Sequence, residues 1–183
     1  MIRNVASFNT LFATLRRLVI GFFCLQCLAS CSATGPLFSD AGPVPVDKGR
    51  VYVYRPDLWA MGVVRALISV DGTPTFELDN NGYSVLDLTP GAHVFVHTWG
   101  KKFYTTDVVT GKPVTVTVDV KAGQTKYVIL RSQANSRLTD FSPTPTMRTQ
   151  YSWQISEIAN SIGQEEIAKT HYQAPLPAVV GTK

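Results

Sequence analysis

The chain has 183 residues, with 17 Lys+Arg against 13 Asp+Glu and three cysteines. Arg3, Arg16 and Arg17 fall in the first 30 residues and every acid lies beyond them, so the remainder carries 17 − 3 = 14 basic and 13 acidic groups, a net +1. That balance offers no argument for nucleic-acid binding, which needs a basic stripe on the folded domain, and the 183 − 30 = 153 residues left suit one domain with a single core and no obligatory disulfides.

Residues 1–30 read as a bacterial secretory signal, with the three arginines as a cationic start and Leu18-Val19-Ile20-Gly21-Phe22-Phe23-Cys24-Leu25 as a short apolar centre. The apolar stretch is interrupted by Gln26 and falls short of the about 20 residues that span a bilayer. Leu28-Ala29-Ser30-Cys31 resembles the lipobox of bacterial lipoproteins. The resemblance implies cleavage between Ser30 and Cys31 and lipid attachment at Cys31; Cys24 and Cys27 lack the preceding small residues. Cys24-Leu25-Gln26-Cys27 matches a redox or zinc spacing but lies in the segment to be removed, and no cysteine follows Cys31. Two or three acyl chains, at about 0.8 kcal/mol per buried CH2, make such an anchor effectively permanent. Ser32 after the cysteine resembles lipoproteins sorted to the outer membrane, which sets the expected location as the cell envelope, facing the periplasm.

Residues 31–48 carry Gly35-Pro36, Gly42-Pro43 and Pro45 without periodicity and predict a loose tether after the lipidated cysteine. Its reach is on the order of 60 Å fully extended and roughly 20 to 25 Å as a coil, so the expectation is a domain floating near its membrane.

Residues 49–172 predict an all-β domain, an antiparallel sandwich of six to seven strands with a short C-terminal helix. Val51 to Arg55 is stopped by Pro56, and Val64 to Val70 by Asp71-Gly72, a hairpin signal because both residues tolerate positive φ. Thr75 to Leu78 runs into Asp79-Asn80-Asn81-Gly82; Tyr83 to Leu88 ends at Pro90-Gly91. His93 to Trp99 follows, then Val114 to Val120, whose alternating valines predict one core face. The apolar centre of Lys126 to Arg131 predicts a strand covered on both sides. Ser132 to Thr149, with Pro143 and Pro145, reads as an exposed loop before a strand over Tyr151 to Ile155. Ile155, Ile158, Ala159 and Ile162 recur at helical spacing, with Ser156 as N-cap and Gly163 weakening the helix by about 1 kcal/mol. Residues 173–183 read as a disordered tail.

The runs Gly49-Arg50-Val51-Tyr52-Val53-Tyr54-Arg55-Pro56, Val70-Asp71-Gly72, Leu88-Thr89-Pro90-Gly91-Ala92-His93 and Ala122-Gly123-Gln124-Thr125-Lys126-Tyr127 resemble a family of small bacterial lipoproteins known only as a domain of unknown function. The resemblance extends over Lys48 to Glu166. It implies a β-sandwich and an envelope location, and carries no catalytic residues.

Candidate chemistry is sparse. His93 and His97 share a strand face, yet a zinc site needs at least a third ligand, and His171 is the one other histidine; no metal or cofactor is expected. No Gly-x-Ser-x-Gly elbow occurs. Asp79-Asn80-Asn81-Gly82 lacks calcium-loop spacing and reads as turn chemistry. Glu77 with Asp87 or Asp107 are the carboxylates an envelope hydrolase or peptidoglycan-processing accessory enzyme would use. Trp99, Lys101, Lys102, Phe103 and Tyr104 form an aromatic and basic cluster, a candidate contact with lipid headgroups or glycan, set against a folded-in arrangement with edge-protecting lysines. Tyr52 and Tyr54 read as a sheet face with hydroxyls at its rim. The expected role is a non-enzymatic, lipid-anchored binding or structural module, bound to the membrane by its lipid and to an envelope protein or glycan by its sandwich.

Overall fold

The computed structural model describes residues 16, 32–58, 62–99, 112–138 and 147–177. Two compact units divide the chain between Cys31 and Ser32, and every strand belongs to the second. The strands are β1 (Gly49–Arg55), β2 (Ala66–Val70), β3 (Thr73–Leu78), β4 (Gly82–Leu88), β5 (Gly91–Trp99), β6 (Val114–Val120), β7 (Thr125–Leu138), β8 (Met147–Ile158) and β9 (His171–Tyr172), with helix α1 (Asn160–Ile167) between β8 and β9.

Two sheets pack face to face in the orders β8-β7-β1-β4-β9 and β3-β2-β5-β6. The all-β sandwich with a C-terminal helix is thus the fold, with nine strands among the described residues in place of six to seven. The larger sheet is mixed, because β1 pairs parallel with β7 and β4 parallel with β9. Neither pairing has a local signal: β9 is two residues long, and β7 is reached only through the whole smaller sheet.

Every residue of β1 is buried. Its period of two sends Val51 and Val53 into the inter-sheet core with Phe76, Phe95, Val128 and Leu130, while Tyr52 and Tyr54 join a second cluster on the outer face with Tyr83, Tyr127, Ile129 and Ile167. β7 divides in the same way, as its continuous apolar centre predicts. In β6, Val118 and Val120 are buried and the intervening Thr115, Thr117 and Asp119 are exposed. Asp71 and Gly72 sit at φ 50° and 80° in the β2–β3 hairpin, the geometry that a two-residue primed turn requires. Pro74 lies in β3, an edge strand, where a missing N–H costs no ladder bond.

The outer aromatic layer needs a cover, and residues read as tether supply it. Phe38 packs edge-on against Tyr52 and Tyr83, with ring centroids 5.3 and 5.2 Å away. Backbone bonds hold the segment in place: Ala33 N donates to Asn80 O at 2.8 Å, Phe38 N to Thr170 O at 2.9 Å and Tyr172 N to Pro36 O at 2.8 Å. Ser32 already pairs with Asn80, and Leu37 with His171. Gly35 is required by close approach, since a Cβ there would collide with the Tyr172 carbonyl oxygen. The expected loose tether over 31–48 is therefore a clasp from Ser32 onward, because one aromatic ring and a set of paired backbone groups outweigh the proline- and glycine-rich composition.

Three later boundaries also differ. The expected Ser132–Thr149 loop is a ribbon: β7 and β8 stay paired from Tyr127↔Ile158 out to Leu138↔Met147. Polar residues along both strands hide the alternation there. Ile155 and Ile158 belong to opposite faces of β8, the inter-sheet core and the outer cluster, so their helical spacing is coincidental. α1 starts at Asn160 after Ala159, with no side-chain cap, so Ser156 caps nothing. The expected tail from residue 173 begins instead as a pinned strap: Gln173 N donates to Tyr83 O and Leu176 N to Thr75 O, both at 2.8 Å. Residues 178–183 lie outside the described residues.

Gly163 lets α1 lie directly on Tyr127, whose Cβ and Cγ occupy the space a Cβ at 163 would take. Alanine there gains about 1 kcal/mol of helix propensity against an overpacking cost of about 1 to 3 kcal/mol. Gly163→Ala is expected to destabilise the domain by about 1 kcal/mol, read as a lower urea midpoint at unchanged m-value; a raised midpoint would show that the helix does not sit so close.

Candidate functional site

The strand registers place several features at one end of the sandwich. β1 finishes where β4 starts, at Arg55↔Gly82; β2 starts opposite the end of β5, at Ala66↔Trp99; β6 starts beside His97. This is the end that carries Asn80, in the turn joining β3 to β4. The Asp71–Gly72 hairpin, the β4–β5 connection and the Lys121–Gln124 turn lie at the other end.

Asn80 is a junction. It is buried; its Oδ1 accepts from Leu58 N at 3.0 Å, its Nδ2 donates to Asp57, and its carbonyl receives Ala33 N. The next residue, Asn81, has φ 57° and accepts from His171 N at 2.9 Å. Gln173 completes the tie, taking Asp79 N on Oε1 and donating Nε2 to Asp79 Oδ2, both at 2.8 Å. The oxygen-rich turn read from the sequence thus joins the clasp, the segment after β1 and the strap after β9.

Beside it, at the same end, a cleft of about 230 Å³ is lined by His97, Lys112, Val114, Tyr151 and Trp153, among others. Its inner wall is aromatic, and a buried cation lies behind Trp153. Arg55, fully buried, donates to Val64 O and lies 5.3 Å over the Trp153 ring, a cation–π arrangement strengthened by desolvation. Burial lowers the guanidinium to about 10, with Asp79 opposing the shift, so it stays charged at neutral pH. The His97 ring centroid is 5.5 Å from Trp153. Burial, then the Arg55 charge, pushes His97 down to about 4, leaving a neutral imidazole. With Lys112 exposed at the rim, the cleft offers ring faces and positive charge, the surface on which sugars stack or anionic headgroups rest.

The other candidates are held in structural pairs. His93 shares a face with His97, but its Nδ1 faces Asp71 Oδ2 at 2.7 Å and its Nε2 faces Thr89 O at 2.8 Å. Two acceptors hold both ring protons, so the His93 pKa rises although burial opposes it, and the His93 hydrogen bond lowers Asp71. His171 Nδ1 contacts Gly35 O at 2.7 Å. Among the described residues no three His, Cys, Asp or Glu side chains gather around one point.

Asp87 takes a bidentate hydrogen bond from buried Arg50, 2.8 Å from Nε and 3.0 Å from Nη2, which lowers its pKa, the opposite of what a general acid needs. Glu77, in the other sheet, lies 3.6 Å from Arg65. Asp107 lies outside the described residues, as do Ser30, Cys31, Lys101, Lys102, Phe103 and Tyr104; Trp99 closes β5 at the Asn80 end.

Tyr52 and Tyr54 do place their hydroxyls at the rim of the outer face. Tyr52 OH accepts from Ala41 N at 3.1 Å and reaches Asp40 at 3.2 Å, and Tyr54 OH donates to Glu166 at 2.8 Å. Burial and the Glu166 bond raise the Tyr54 pKa far above the phenol range. Arg55, Trp153 and Asn80 carry no signal as site residues in the sequence, since their roles arise from partners 9 to 98 positions away. Arg55 is 9 positions from Val64, Asn80 is 22 from Leu58, and Trp153 is 153 − 55 = 98 from Arg55.

His97 gives the site a pH signature. The unfolded chain binds a proton near 6.5 and the folded one only near 4, so stability falls as pH drops through that interval, by about 3 kcal/mol in all. His93 has the opposite sign, its contribution being lost as pH rises through its raised pKa. Urea midpoints of the natural chain and His97→Gln, measured from pH 7 to pH 4, are expected to show a shallower decline in the variant; parallel curves would contradict the burial of His97.

Residues 45–140, just over half of the chain, match the family described as a protein of unknown function, DUF2846. No curated protein matches the chain. The matched region starts after the Phe38 part of the clasp and stops between β7 and β8, so β8, α1 and β9 lie beyond it. On this match, which takes in β1 to β7, the chain belongs to the DUF2846 family.

Proposed function

We propose that the protein is a lipid-anchored lipoprotein of the bacterial envelope, carried on the periplasmic side of the outer membrane, whose sandwich is a non-catalytic binding or structural module. The observation that carries this reading is Leu28-Ala29-Ser30-Cys31 closing an apolar run after Arg16-Arg17, with a folded domain starting at the next residue.

The character of the cleft supports the binding role. Its described lining supplies the rings of His97, Tyr151 and Trp153, a valine and the one cation Lys112 rather than a carboxylate, and Asp87 and Glu77 are engaged with arginines. An aromatic and cationic cleft recognises a sugar face or a phosphate-bearing glycan, or receives a side chain of an envelope protein. Such a module works by position. It is brought to its partner by the anchor and needs no chemistry of its own.

Expression of the full chain in a Gram-negative host tests this. The natural chain is expected to be cut before Cys31, to carry diacylglycerol and further acyl groups on that residue by mass spectrometry, and to fractionate with outer membranes. Cys31→Ser should keep its leader. A natural chain that is cut, unmodified and soluble overturns the assignment, and turnover of a cell-wall substrate by the pure domain overturns the non-catalytic role.

A further inference from the structure

We propose that the Asn80 end of the sandwich rests on the bilayer that carries the acyl chains, held there by a leash of a single peptide link. This deepens the lipoprotein reading and rests on it. A lipidated Cys31 is separated from Ser32 by about 3.8 Å, and Ser32 is already paired with Asn80. Ala33 is 5% exposed and bonded to Asn80 O, and Phe38, farther along, is wedged among tyrosines. No slack remains between the acylated residue and the fold, so the headgroup layer must lie against the Asn80 end.

The composition of that end suits the position. Val63, on the segment entering β2, is 53% exposed beside the junction, because Gly62 packs on the Asn80 side chain. Exposed Lys112 marks the start of the strand next to the cleft. β7 runs parallel to β1 and continues past the level of Arg55, so the β7–β8 ribbon lies at this same end, its Tyr151 and Trp153 beside His97 and Val114 of the smaller sheet. One of its outer rungs pairs Arg137 with Arg148. A polar ribbon with basic residues in its sequence cannot enter the hydrocarbon and instead lies along anionic headgroups. The Asp71–Gly72 hairpin, at the other end, then points into the aqueous compartment.

The mature chain has no cysteine beyond Cys31, so one introduced thiol can be labelled cleanly. Val63→Cys and Thr73→Cys, at opposite ends of β2 and roughly 20 Å apart, are labelled with a fluorophore. Each lipidated protein is reconstituted in phosphatidylethanolamine and phosphatidylglycerol vesicles containing nitroxide-headgroup lipid. The label at 63 is expected to lose most of its emission and the label at 73 to keep it. A Gly/Ser insertion between Cys31 and Ser32 is expected to restore emission at 63. Equal quenching at both positions, or no effect of the insertion, overturns the proposal while acylated Cys31 in the same sample leaves the lipoprotein reading standing. Unmodified Cys31 by mass spectrometry overturns both.

Discussion

Burial of β1 on both faces is the constraint from which the rest of the domain follows. A sandwich strand ordinarily turns one face to its partner sheet and the other to water. Here the second face carries Tyr52 and Tyr54, joined by Tyr83 and Tyr127 from the strands on either side. Each such ring brings about 150 to 250 Å² to be covered. The cover comes from both directions of the chain: Phe38 and its segment from the N-terminal side, α1 and β9 from the C-terminal side. Tyr52 stacks on Tyr127 at 5.4 Å and Tyr83 meets Tyr172 at 5.5 Å, so the layer is continuous across four strands. Its rim is polar by the same design, with the hydroxyls of Tyr52 and Tyr54 bonded to groups of the two covering segments.

That third layer explains why so many ionic side chains are structural. Arg50 is buried beneath the clasp, where Asp87 and the Gly42 carbonyl saturate its guanidinium. Glu166 on α1 takes Tyr54 and Arg131 on its two oxygens, fastening the helix to the sheet. Truncating Asp87 strands the buried Arg50 guanidinium in a low-dielectric environment, which is worse than losing the attraction alone. The ions therefore fix where the covering segments dock, and the cleft at the Asn80 end is left with rings and a lysine.

The sandwich was legible because its strands obey local rules. Valine alternation in β6, the Asp71–Gly72 turn and the unbroken apolar centre of β7 each follow from residue chemistry within a few positions. The β7–β8 ribbon was illegible because polar residues line both of its strands and backbone pairing leaves no trace in hydropathy. Ile155 and Ile158 mimicked a helix because spacing by three also separates residues on opposite faces of a strand. The tether failed for a different reason. Proline and glycine favour an unstructured chain only when nothing covers them, and Phe38 finds its pocket against Tyr52 and Tyr83, 52 − 38 = 14 and 83 − 38 = 45 positions further on. In the candidate site, His97 was visible as a residue, yet its neighbours Arg55 and Trp153 meet only through the closure of the two sheets. The oxygen-rich residues around Asn80 predict a turn, while the junction they form depends on partners distant in sequence.

Everything about placement depends on the clasp being part of the folded domain. Amide hydrogen exchange on the domain measures this directly, residue by residue. The amides of Ala33, Phe38 and Tyr172 are predicted to exchange as slowly as those of β1, opening only with the whole fold. Exchange of Ala33 and Phe38 at the rate of an unstructured chain, with β1 still protected, would contradict the account and restore a free tether.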